Sequence, residues 1–168
     1  MKTFRFLLAV IALGIVTSYS GCKGSGSGES VQQKQFTLLS KTWKLASVQL
    51  SGQDVTSSQG WTNFQLAISG TFSSTTGTYN YTCTGRPALS PWPGSGTWAF
   101  ATGTSADPVT QIVRDPSDAA NALPMTYAVT TAAGSSAATL KISFQYSGNG
   151  YSRVSNVAGG WVFNFTAN

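Results

Sequence analysis

The chain has no histidine. This removes the commonest general base at neutral pH and the commonest transition-metal ligand. A Ser-His-Asp triad cannot be assembled. Cysteine is nearly as scarce, with Cys22 and Cys83 alone. A single free thiol without imidazole does not complete an ordinary zinc site. Charged residues make up only 9% of the chain. The carboxylates are Glu29, Asp54, Asp107, Asp115 and Asp118. Asp54, Asp107 and Asp115 fall at turn positions, where such side chains bond nearby backbone amides. A glycosidase pair from Asp115 and Asp118 would have to flank a sugar on opposite faces. The same two residues lack the ligand density of a calcium loop. Lys141 and Ser143 share the polar side of a strand, where a lysine is not desolvated into a base. We therefore expect no catalytic residue, no metal and no cofactor, and a function that is not enzymatic.

Long hydrophobic runs are missing too. The longest, Phe6 to Val16, has 11 residues, against about 20 for a bilayer-spanning helix. It follows Lys2 and Arg5 and leads through Ser18-Tyr19-Ser20-Gly21 into Cys22. That order is a secretion signal, residues 1–21, with a cysteine at its cleavage point. A thiol so placed is where bacterial lipoproteins receive diacylglycerol, so Cys22 is the expected lipidation site. Acylation of Cys22 leaves Cys83 a free thiol. Cleavage elsewhere would instead leave a Cys22–Cys83 disulfide open in an oxidising compartment. Residues 22–35 carry the lipid and a tether. Its Gly/Ser part, 23–30, has a reach of roughly 15 Å. Without Lys2 and Arg5, eight basic and five acidic residues remain, net +3. The basic residues are scattered, with no run interleaved by aromatics, so no nucleic-acid partner is expected.

Val31 to Ser40 reads as a short N-terminal helix capping one end of the fold. From Trp43 the apolar period becomes two. Strands are expected at Trp43–Leu50, with a bulge where the apolar face changes parity, and around Phe64/Leu66/Ile68. Others are expected around Tyr79/Tyr81/Cys83, Trp98/Phe100, Gln111–Arg114, Met125/Tyr127/Val129, Leu140–Tyr146 and Trp161/Phe163/Phe165. Gly52-Gln53-Asp54-Val55 reads as the first turn. Eight strands with short connections and no intervening helices predict an all-β fold. The expected form is an eight-stranded antiparallel up-and-down barrel over 36–168, with a β-sandwich as the alternative.

Several segments resemble the lipocalin-like lipoprotein domains common in Bacteroidetes. They are Trp43-Lys44-Leu45, Gly52-Gln53-Asp54-Val55-Thr56, Trp92-Pro93-Gly94-Ser95-Gly96-Thr97-Trp98-Ala99-Phe100, Arg114-Asp115, and Ser152-Arg153-Val154 with Gly159-Gly160-Trp161-Val162-Phe163. The glycine two residues before the lipocalin Trp is absent, since Lys41 stands there. The resemblance implies an arginine packed on Trp43, with Arg153 as its counterpart, and says little about activity. It also implies a lipid-anchored protein of the cell envelope. Lys23, in place of a retaining aspartate, points to the outer membrane.

The candidate ligand-lining or core residues are Trp43, Phe64, Tyr81, Trp98, Phe144, Trp161 and Phe163. An eight-stranded barrel is just wide enough to be filled or to hold one small ligand. Trp61 and Trp92 lie in loops, as candidate contact residues or as a plug at one barrel end. The expected function is a monomeric, membrane-anchored module holding a small apolar or amphipathic ligand. The alternative is a solid barrel whose loops at 51–62, 84–96 and 115–124 engage envelope proteins or glycans.

Overall fold

The computed structural model describes residues 28–131, 137–148 and 157–168. The expected lipidation site Cys22, the expected signal segment 1–21 and Arg153 lie outside these residues. One helix, α1 (Val31–Leu39), precedes nine strands: β1 (Thr42–Leu50), β2 (Gln53–Asp54), β3 (Gln65–Ser69), β4 (Thr78–Thr84), β5 (Ser95–Phe100), β6 (Gln111–Arg114), β7 (Leu123–Thr131), β8 (Ala138–Tyr146) and β9 (Gly159–Ala167). Ser30 caps α1 by accepting the Gln33 amide at 3.1 Å, as a serine before a helix does. The helix thus takes in Val31–Gln35, the end of the tether segment.

The strands pair antiparallel in chain order from β3 to β9, and β1 joins both β3 and β9. Eight strands therefore close into a barrel, and β2 lies outside the ring as a short flap on β1. The sandwich alternative is excluded by the β1–β9 pairing, which runs from Trp43↔Ala167 to Leu50↔Trp161. The parity change in β1 is a bulge, with the register shifting between Leu45 and Ser47. An extra residue there lets Trp43, Leu45 and Val48 all face inward. The first turn is tighter than expected. Ser51 and Gly52 both have positive φ, 50° and 82°, and Gln53 already pairs with Leu50. Two left-handed residues match the twist of a two-residue hairpin.

Alternation decides the rest. Tyr79, Tyr81 and Cys83 of β4 are buried, while Asn80, Thr82 and Thr84 face out. Leu140, Ile142, Phe144 and Tyr146 do the same in β8. The helix closes one end: Phe36 packs on Tyr79 and Trp98, and the Trp43 indole donates to the Leu39 carbonyl at 2.9 Å. The opposite end is closed by loops carrying Trp61 and Trp92, both buried.

Candidate functional site

All seven candidate lining residues face the interior and are buried. One interior space is a void of about 10 Å³ between Tyr81, Trp92, Trp98, Ile112, Met125 and neighbouring side chains. That is one water's worth of room at most, whereas ligand pockets start near 300 Å³. That space by itself holds no small ligand, and aromatic rings crowd the lumen around it. Trp61 meets Phe64, Trp161 and Phe163 edge-to-face at centroid distances of 5.1, 5.7 and 5.2 Å. Trp92 meets Tyr81, Phe144 and Phe163 at 5.7, 5.8 and 5.9 Å. Both loop tryptophans are therefore plugs, and neither is an exposed contact residue. Each brings an aromatic group that strand alternation alone does not supply.

A polar cluster holds the Trp92 plug in place. Arg114 and Asp115 are 2% and 5% exposed, and the Arg114 Nε lies 3.2 Å from the Asp115 Oδ2. The Arg114 Nη1 donates to the Pro91 carbonyl at 2.6 Å, and its guanidinium sits 5.6 Å from the Trp92 ring centroid. Asp115 accepts from the Tyr81 hydroxyl at 3.1 Å and from the Thr97 amide at 2.8 Å. Its φ is 50°, a left-handed conformation that aspartate tolerates better than most residues. Gly96 makes room for this, because a Cβ there would collide with the Asp115 carboxylate and the Tyr81 phenol. Burial raises the Tyr81 hydroxyl well above its ordinary range, with Arg114 opposing and Asp115 reinforcing the shift. The phenol is thus a proton donor to the carboxylate at any physiological pH.

Reading Asp115 as one more turn aspartate missed this cluster. The one signal in the sequence was Arg114 on an otherwise apolar strand parity, following Ile112. The other aspartates behave as expected. Asp54 accepts the Thr56 amide, Asp107 the Val109 amide, and Asp118 the Ala120 amide and the Asn121 side chain. Those bonds hold the Asp54 and Asp118 carboxyls below their ordinary value. Asp115 is turned inward and Asp118 is exposed, so the two do not face one another across a gap. Among the described residues no group of three His, Cys, Asp or Glu is placed to hold a metal ion. Cys83 is a buried free thiol, and burial pushes its pKa up to about 12, against the pull of Arg114 and Arg86.

One sizeable concavity is on the outside. A cleft of about 640 Å³ crosses the wall over β6 to β9. The β7–β8 ladder stops at Thr126↔Ser143, although β7 continues back to Leu123 against β6 and β8 continues to Tyr146 against β9. The two strands part there. Outward residues such as Val113, Thr126 and Val162 line the cleft together with the inward Met125 and Phe144, as expected where a wall opens along a seam.

No family model matches the chain, and no curated protein and no solved structure shows a significant match to it.

Proposed function

We propose that the chain is a lipid-anchored protein of the bacterial cell envelope, akin to the lipocalin-like lipoproteins its motifs resemble. It carries a solid barrel on a Gly/Ser tether and works by binding at its outer surface, without catalysis. One contrast supports this reading: about 10 Å³ of space inside the barrel against about 640 Å³ in the wall cleft. Indole and phenyl rings crowd the lumen, which favours recognition at the wall and the loops. The anchor is supported by the basic start, the short apolar run and Cys22 behind small residues.

The test is cell fractionation with intact-mass measurement of the mature chain. The wild type should begin at Cys22, gain the mass of acyl chains and travel with the outer membrane. Cys22→Ser should accumulate as an unlipidated precursor. A soluble wild-type product cleaved at another position would refute the anchor.

A further inference from the structure

We propose that the β7–β8 cleft is a binding site for a neutral amphipathic small molecule, one with an apolar chain and a carboxamide-like group that donates and accepts hydrogen bonds. The proposal rests on the outer-surface reading above and names its site.

The seam has a specific cause. The Tyr127 amide donates to the Thr110 carbonyl on the β6 side. In an antiparallel ladder the next residue turns its amide the other way, so positions 126 and 124 address β8. Position 124 is proline and has no N–H to give. On β8 the matching residue that addresses β7 is Gln145. The ladder contains no Met125↔Phe144 pair, so the Gln145 amide is not tied to the Pro124 carbonyl. The Thr126 and Ser143 hydroxyls, 2.8 Å apart, close the last rung before the gap. Beyond it the Gln145 N–H and C=O and the Pro124 C=O face the seam with no partner across it among the described residues. Pro124 and Gln145 are exposed, so water meets these groups in the free protein, and a carboxamide offers the complementary pair that takes its place.

The lining sets the remaining chemistry. Among the described residues no Asp, Glu, Lys or Arg lines the cleft. A charged ligand would shed water there and find no counter-charge. Val113, Met125, Phe144 and Val162 supply apolar surface, which suits a short hydrocarbon chain. The volume falls within the range of small-molecule pockets.

Three probes of equal chain length isolate charge: hexanamide, hexanoate and hexylammonium. The mature chain is purified as the cell makes it, in nanodiscs if lipid is attached, and titrated with each probe by heteronuclear NMR. Hexanamide should shift the Gln145, Thr126 and Val162 amide signals, and the two ions should bind at least tenfold more weakly. Val162→Arg and, independently, Gln111→Arg should weaken hexanamide at least tenfold while the Tm stays unchanged. Absence of shifts with hexanamide, shifts confined to other residues, or equal binding of all three probes would overturn the proposal. Acylation of Cys22 is read from the mass of the same sample, so failure of the cleft and failure of the anchor are separate results.

Discussion

Asp115 carries more structure than any other charged residue described. It receives the Tyr81 hydroxyl and the Thr97 amide and lies beside the Arg114 guanidinium that is stacked over Trp92. Removing one partner of a buried ion pair costs about 3–5 kcal/mol, because the other charge stays buried. Asp115→Ala should therefore lower the urea-unfolding free energy by about that amount, and a loss below about 1 kcal/mol would refute the latch. Cys83 makes the opposite kind of prediction. Thiolate is the reactive form, and burial pushes this thiol up to about 12. In the folded protein Cys83 should not react with an aromatic disulfide reagent at pH 8, and it should react after denaturation, as peptide mapping would show.

At the scale of elements, α1 is a lid made by two contacts: Phe36 against Tyr79 and Trp98, and the Leu39 carbonyl on the Trp43 indole. Nothing in the helix's own sequence makes nine residues stable alone, since isolated helices below about 12 residues are marginal. Its stability is borrowed from the barrel mouth. Phe36→Ala should cost about 3 kcal/mol, and the amide exchange of α1 should rise well before that of β8. Pro124 sets the other element-level feature. Pro124→Val restores the missing donor, so β7 should zip onto β8 by two more residues. Slower exchange at the Gln145 amide would register this; unchanged exchange would mean that something other than proline holds the seam open.

For the whole molecule, the lack of histidine predicts a stability that is flat between about pH 5 and 8. The change comes at alkaline pH. Cys83, Tyr81 and Tyr127 all have raised values in the fold, chiefly through burial. For such groups the native state holds its proton longer than the unfolded chain. Their contribution is complete below the ordinary thiol and phenol values of 9.0 and 10.0. It is lost as pH climbs from there towards the folded values, by about 1.4 kcal/mol per pH unit for each group. Tm should hold steady to about pH 9 and then fall by several degrees per unit. A fall that begins below pH 8 would point to a different group.

The barrel was legible in the sequence because burial of one face imposes a period of two. Trp43, Tyr81, Phe144 and Phe163 announce their direction by spacing alone. The bulge in β1 was visible for the same reason, as a break in that spacing. Local chemistry also decided the N-cap at Ser30 and the bonds of Asp54, Asp107 and Asp118, since these reach only two or three residues along the chain. What periodicity does not encode is where a loop side chain goes or how much space closure leaves. Trp61 and Trp92 fold inward because the open mouth of the barrel offers apolar surface from strands distant in sequence. Arg114 and Asp115 are tolerated inside because Tyr81, Pro91, Thr97 and Gly96 converge on them from three other segments. The seam at Pro124 exists only because β8 arrives as its neighbour. The sequence by itself determined the class of fold and the direction of the strand residues. Tertiary structure decided how tightly rings crowd the lumen and that β7 and β8 part to leave a cleft in the wall, because volume and pairing depend on every strand at once.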